Sequence, residues 1–127
     1  MYACQAETFQ VTDSLTQEVF PGRSIFQLFT LLLELISVGM ALEPDAIAKQ
    51  ANISRAAIRT DFNCYPPCPQ PELVLGSAPH ADRSILTVLQ QNQVSGLEVF
   101  KDAKWVQVSP LENAFVINLG DQMQVRS

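Results

Sequence analysis

The fold class of this chain is decided by four short runs of sequence: SILTVLQ (Ser84–Gln90), LEVF (Leu97–Phe100), KWVQV (Lys104–Val108) and AFVINL (Ala114–Leu119). In each run, β-branched and aromatic residues alternate with polar ones, which is typical of β-strands. A fifth strand is predicted at Gln122–Val125. Gly96 and the Lys101-Asp102-Ala103 stretch mark tight connections between strands. Short strands at regular spacing with turns between them predict a β-sandwich or barrel.

The first third of the chain is predicted to be helical. Ile25–Leu42 is strongly apolar, but four polar residues interrupt it on one helical stripe: Gln27, Thr30, Glu34 and Ser37. A charged Glu34 in mid-span would be costly in lipid, so this is an amphipathic helix that needs a partner surface and not a membrane span. Glu43-Pro44 is predicted to end it. A shorter helix is predicted at Thr12–Phe20.

Composition and charge narrow the function classes. The chain has 127 residues, 47% of them apolar and 17% charged, which suits one globular domain and excludes a disordered chain. Eight basic against thirteen acidic residues give a net charge of −5, so a nucleic acid or an anionic membrane is not the expected partner. The first ten residues have no basic segment typical of a signal peptide, and they include Glu7. We therefore expect a cytoplasmic protein whose three cysteines are reduced.

The single histidine of the chain, His80, is followed two residues later by Asp82. In an extended backbone, positions i and i+2 point to the same face, so an imidazole and a carboxylate at this spacing can reach one cation. Taken alone, the pair favours a surface or partly buried histidine that has an acidic neighbour by chance, and the wider sequence context is needed to favour a metal site.

Two longer motifs surround this pair: Asn63-Cys-Tyr-Pro-Pro-Cys-Pro-Gln-Pro-Glu-Leu-Val-Leu-Gly and Pro79-His-Ala-Asp-Arg-Ser-Ile-Leu-Thr. Together they closely resemble the plant iron(II)/2-oxoglutarate-dependent dioxygenases, the group that includes flavonol synthase, anthocyanidin synthase and the alkaloid demethylases. The resemblance continues through Val94–Asp102, Lys104–Val106 and Asn118–Asp121. It therefore covers the chain from about Leu42 to the end.

The resemblance implies a fold, an activity and a set of cofactors. The fold is α+β: residues 1–52 resemble the end of the family's helical N-terminal region, and residues 53–127 the N-terminal half of its jelly-roll, a double-stranded β-helix. The activity is that of an oxidoreductase, which consumes O2 and 2-oxoglutarate while it oxidises a small organic molecule. Its cofactors are Fe(II) and 2-oxoglutarate, with ascorbate as the reductant.

The resemblance also assigns roles to individual residues. His80 and Asp82 match the first two metal ligands of the family's 2-His-1-carboxylate triad, which leaves open positions on non-haem iron. Asn63 and Tyr65 match positions that can hydrogen-bond the 2-oxoglutarate, since an amide and a phenol both donate. A purely structural role before the Pro-Pro turn is equally open for these two residues.

Several positions depart from the family pattern. The family places a second metal-binding histidine and an Arg-x-Ser pair further downstream, whereas the sequence has one histidine and Arg126-Ser127 lacks the intervening residue. Ala81 replaces the usual hydroxyl residue between the ligands, and Ala103 the usual turn glycine. We therefore expect the chain alone to hold iron weakly, to leave 2-oxoglutarate unconverted, and to self-associate through exposed strand edges.

Three other interpretations are considered. Ala46–Asp61 has the pattern of a DNA-binding helix-turn-helix, in which Ser54 would open a recognition helix that carries Arg55 and Arg59, although the acidic charge argues against it. Cys64, Cys68, His80 and Asp82 could bind zinc, although the Pro-Pro between the cysteines argues against that. The third is a non-catalytic relative of the dioxygenases that binds a partner without turnover.

Overall fold

A computed structural model of the protein describes residues 7–11, 22–53 and 58–124. They belong to two compact units, one running from Glu7 to Cys64 and one comprising the described residues from Tyr65 onward. The helices are α1 (Gly22–Gly39), α2 (Ala46–Gln50) and α3 (Asp121–Gln124). The strands are β1 (Glu7–Val11), β2 (Thr60–Cys64), β3 (Leu86–Leu89), β4 (Glu98–Lys101), β5 (Lys104–Gln107) and β6 (Val116–Leu119). A short 3-10 helix covers Pro71–Leu73.

Helix α1 ends three residues earlier than Leu42, the end predicted from sequence. Ala41 has a left-handed backbone with φ of 57°. Its N–H donates to the carbonyl of Val38 at 3.0 Å, and the N–H of Leu42 donates to the carbonyl of Ser37 at 3.0 Å. This pair of bonds is the Schellman arrangement, which closes a helix by satisfying its last carbonyls. The helix is therefore ended by this C-terminal cap and not by Pro44.

Ser37, one of the four residues of the predicted polar stripe of α1, lies in the interior and not on the surface. Ser37 is completely buried. Its hydroxyl donates to the carbonyl of Leu33 at 2.9 Å and accepts the N–H of Ile47 at 3.4 Å, so it joins α1 to α2. Leu33 and Ile47 are buried beside it and form the core of this unit. On other sides of the helix, Leu31, Leu35 and Val38 are half-exposed or more.

The antiparallel pair of β1 and β2 was not predicted. Its register runs from Glu7 opposite Cys64 to Val11 opposite Thr60. This pairing contradicts the helix-turn-helix interpretation, because Thr60 and Asp61 lie in a strand where the recognition helix should continue.

Of the two arginines predicted to contact DNA, Arg59 lies within the described residues, and it is already paired with a carboxylate. Its Nε donates to Asp61 Oδ1 at 2.9 Å, and its Nη2 lies 2.9 Å from Asp61 Oδ2. The hydrogen bond and the charge of Asp61 raise the pKa of the Arg59 guanidinium. Ser54 and Arg55, like the helix predicted at Thr12–Phe20, lie outside the described residues.

The second unit confirms four predicted strands, each within two residues at both ends. β3 pairs antiparallel with β6, from Leu86 opposite Leu119 to Leu89 opposite Val116. β4 and β5 form an antiparallel hairpin, with Glu98 opposite Gln107 and Lys101 opposite Lys104. Ile85, which precedes β3, and Leu86, its first residue, are buried, as is Met123. The irregular segment that carries Asp82 is therefore followed, three residues later, by residues buried in the core of this unit.

The turn of the β4–β5 hairpin places two residues in the left-handed region. Asp102 has φ of 52° and Ala103 φ of 60°. Two consecutive left-handed residues define a type I′ turn, which suits the twist of a two-residue hairpin and favours Asp-Gly. Ala103 therefore occupies a position that glycine would occupy with less strain. Across the two strands, the rings of Phe100 and Trp105 lie 5.1 Å apart between centroids.

The fifth strand, predicted at Gln122–Val125, is wrong over its described part, which belongs to the single-turn helix α3. The carbonyl of Gly120 accepts the N–H of Met123 at 2.9 Å, and Met123 is buried. The alternation of Gln and Met around this residue resembles a strand, but one apolar residue per helical turn satisfies the same pattern. Val125 lies outside the described residues. None of the helices in the described ranges is long and apolar enough to cross a bilayer.

Candidate metal centre

His80 and Asp82 lie in an irregular segment shortly before β3. The Nδ1 of His80 lies 2.8 Å from the carbonyl oxygen of Ala78, which can only accept. Nδ1 must therefore carry the proton of the neutral ring, which leaves Nε2 with its lone pair. The imidazole is fixed in the tautomer that a metal ligand at Nε2 requires.

The second ring nitrogen of His80 lies near the neighbouring carboxylate. His80 Nε2 lies 3.5 Å from Asp82 Oδ1, and the side chains are 64% and 26% exposed, respectively. The juxtaposition expected from the i, i+2 spacing is thus present, although the backbone here is not a strand. Two electron-pair donors this close together, one of them negatively charged, can bind a single divalent cation.

The backbone around Asp82 is held by residues that come much later in the chain. The N–H of Asp121 donates to the carbonyl of Asp82 at 2.8 Å, and the N–H of Gly120 donates to the carbonyl of Ile85 at 3.0 Å. A Cβ on Gly120 would stand 2.0 Å from the carbonyl oxygen of Ser84. We call this pair of bonds, with the close approach between them, the 120–121 clamp. The sequence patterns did not predict this clamp. The Asn118–Asp121 motif was the feature of the sequence that could have pointed to it.

The predicted 2-oxoglutarate residues are found in different units. Asn63 is in β2, in the first unit, and its side chain is exposed. Tyr65 is the first residue after the boundary, and its side chain is also exposed. Their contribution to one site with His80 and Asp82 therefore stays a prediction.

The zinc interpretation is contradicted by the state of its residues. Within the part of the chain that the structure describes, no three His, Cys, Asp or Glu side chains come together to hold a metal ion. Cys64 has a free, exposed thiol, but Cys68 is disulfide-bonded and cannot be a thiolate ligand. The expectation of reduced thiols is therefore wrong at Cys68.

Comparison with curated proteins gives relatives among plant oxygenases. The chain is 52% identical over 104 residues to Protein DMR6-LIKE OXYGENASE 1 of Arabidopsis thaliana, a match that covers 82% of this chain and 29% of that protein. It is 42% identical to the oxoglutarate-dependent flavonoid 7-O-demethylase 1 of Ocimum basilicum, covering 82% and 28% of the two chains. It is 35% identical to a flavonol synthase/flavanone 3-hydroxylase of Petunia hybrida, covering 84% and 30%. The chain thus spans less than a third of the length of these relatives.

Comparison with solved structures gives the same result for the fold. The crystal structure of JOX2 in complex with 2OG, Fe and JA matches 94% of this chain and 40% of its own chain, with a TM-score of 0.77 and 29% sequence identity. The predicted fold class, helices followed by strands of a double-stranded β-helix, is confirmed by this match. Residues 54–127, more than half of the sequence, match the family whose description names both the metal and the cosubstrate. The chain belongs to the 2OG-Fe(II) oxygenase superfamily.

Proposed function

We propose that this chain forms part of the active site of an iron(II)/2-oxoglutarate-dependent oxygenase that oxidises a small organic molecule of plant specialised metabolism. The proposal depends above all on one observation, the 3.5 Å separation of His80 Nε2 and Asp82 Oδ1. An imidazole nitrogen and a carboxylate oxygen fit Fe(II), which accepts both ligand types. Bound iron would supply the oxidative chemistry of the family, for which ascorbate serves as the reductant.

Each residue of the pair has a distinct task in this proposal. His80 holds its proton at Nδ1, against the carbonyl of Ala78, and offers Nε2 to the metal. Asp82 contributes a negative charge that partly neutralises a divalent cation. Asn63 and Tyr65 donate hydrogen bonds to the oxygens of 2-oxoglutarate. Both side chains are exposed, which supports this role because a cosubstrate can reach an exposed side chain.

The substrate class and the location are further parts of the proposal. The names of the relatives, a flavonol synthase/flavanone 3-hydroxylase and a flavonoid 7-O-demethylase, support a small organic substrate for this chain as well. A cytoplasmic location is proposed from the sequence, and cell fractionation with an antibody against the chain tests it.

Replacing His80 by alanine is expected to weaken Mn(II) binding at least about tenfold. Loss of a residue that hydrogen-bonds a metal ligand lowers metal affinity by about 10- to 100-fold, and loss of the ligand itself should lower it at least as much. Titration of the protein into Mn(II), followed by the electron paramagnetic resonance signal of the free ion, measures the affinity. Asp82→Asn should have a similar effect. Asp102→Asn is the matched control, since it removes a carboxylate from the exposed hairpin turn and asparagine tolerates positive φ.

The result separates the proposed function from its main alternative. If wild-type protein bound Mn(II) no better than the His80→Ala variant, the pair would not be a metal site. The non-catalytic interpretation, a relative that binds a partner without turnover, would then be favoured.

Self-association is proposed as an additional property of the chain. Both strands of the β4–β5 hairpin are exposed, and Phe100 and Trp105 are about half-exposed or more. Open strand edges with apolar side chains pair readily with other chains. Size-exclusion chromatography with light scattering should give a mass above the 14.0 kDa of the monomer, increasing with concentration. Phe100→Lys should shift it towards the monomer, whereas a wild-type mass of 14.0 kDa at every concentration would refute the proposal.

A further inference from the structure

We propose that Gly120 and Asp121 are positioning residues for the metal centre, and that the 120–121 clamp sets the place of Asp82. The inference rests on the proposed function, because it takes Asp82 to be a metal ligand. Neither residue touches the metal in this proposal. They act through the backbone that carries the Asp82 carboxylate.

The two hydrogen bonds of the clamp hold the segment Asp82–Ile85 at its two ends. One is made to the carbonyl of Asp82 itself, by Asp121 at 2.8 Å, and the other to the carbonyl of Ile85, by Gly120 at 3.0 Å. From Ile85 onward the chain enters the core, where Ile85 and Leu86 are buried. A segment of four residues fixed at both ends has little freedom to move its first side chain.

The clamp is itself held in place by two elements. Gly120 follows β6, whose last residue Leu119 pairs with Leu86. Asp121 begins α3, whose Met123 is buried. Glycine at position 120 lets the two backbones approach, since a Cβ there would lie 2.8 Å from the carbonyl oxygen of Asp82 and closer still to that of Ser84. The arrangement is therefore rigid on the side that faces Asp82.

Replacing Asp121 by proline tests the clamp at a single bond. Proline lacks the N–H that reaches Asp82, and it is well tolerated as the first residue of a helix, the position that Asp121 has in α3. Mn(II) affinity is expected to fall about tenfold, the lower end of what loss of a ligand's supporting contact costs. Asp121→Asn, which keeps the N–H, should bind Mn(II) far better than Asp121→Pro.

Glu112→Pro is the matched control. It also removes one carboxylate and adds one proline in the same unit, at the second position of a turn closed by the Ala114 N–H and the Leu111 carbonyl at 3.3 Å. Proline is favoured at that turn position. Mn(II) affinity should stay within twofold of wild type.

Nuclear magnetic resonance provides a readout that needs no metal. In the metal-free wild type, the amides of Gly120 and Asp121 should exchange with solvent slowly, and Asp121→Pro should shift the resonances of Asp82–Ile85 but not those of the β4–β5 hairpin. Fast exchange of both amides in the wild type would overturn the clamp even if the variant failed to fold. Unchanged Mn(II) affinity together with unchanged Asp82–Ile85 resonances in Asp121→Pro would overturn it as well. If the wild type bound no Mn(II), the proposed function would fail, and the exchange and resonance data would decide the clamp separately.

Discussion

Replacing Gly120 by alanine is expected to lower the free energy of unfolding by about 3 to 5 kcal/mol. The new Cβ would stand 2.0 Å from the carbonyl oxygen of Ser84 and 2.7 Å from its carbonyl carbon. Both are backbone atoms, so no side-chain rotation relieves the overlap. Forced separation of packed groups costs about 1–3 kcal/mol, and each of the two hydrogen bonds of the clamp contributes about 1 kcal/mol more. Urea denaturation followed by circular dichroism measures the loss.

Gly96→Ala is the matched control for this substitution. A Cβ on Gly96 meets nothing within 4 Å, and no glycine among the described residues has positive φ. The control should therefore change the free energy of unfolding by no more than about 0.5 kcal/mol. Equal denaturation midpoints for the two variants would mean that the backbones of Gly120 and Ser84 are not in contact in solution.

Replacing Leu33 by alanine is expected to destabilise the first unit by about 2–5 kcal/mol, the usual cost of truncating a fully buried leucine. Leu33 is 0% exposed. Truncation leaves a cavity beside Ser37, whose hydroxyl bonds to the Leu33 carbonyl and to α2. Since a domain is stable by only about 5–15 kcal/mol, thermal denaturation should show a large drop in the melting temperature.

Leu35→Ala makes the same chemical change two residues further along the same helix, where the side chain is 60% exposed. Its effect should be within about 0.5 kcal/mol of zero, because a surface leucine forfeits little on truncation and alanine favours the helix. A loss as large as that of Leu33→Ala would contradict the exposure of this face.

The hairpin strands could be predicted from the sequence because their signals are local. The alternation in Glu98–Lys101 and Lys104–Gln107, with Asp102-Ala103 between them, contains everything that a two-residue turn needs. The closeness of His80 and Asp82 is local in the same sense, since only Ala81 lies between them. The resemblance to a family supplied the overall arrangement that such local signals leave open.

Features that depend on distant parts of the chain could not be predicted from these patterns. Ser37 appears polar and exposed in a helical pattern, and only the arrival of the Ile47 N–H explains its burial. Strand β1 needs a partner that begins about 50 residues later, at Thr60. The helix end at Gly39 was hidden because its cap depends on a left-handed backbone at Ala41, a conformation that alanine does not favour.

The 120–121 clamp also has a consequence for the order in which the site is made during synthesis. Asp82 is fixed by a residue roughly 40 positions later, and closing a loop of that length takes place only after its distal end is available. On the ribosome, His80 and Asp82 therefore emerge well before Asp121, with no anchor for the backbone of Asp82. His80 and Asp82 reach their final geometry when β6 and α3 have been translated and have docked. If His80 and Asp82 bind iron as proposed, iron would be held in the final geometry only after this docking, late in synthesis or after it.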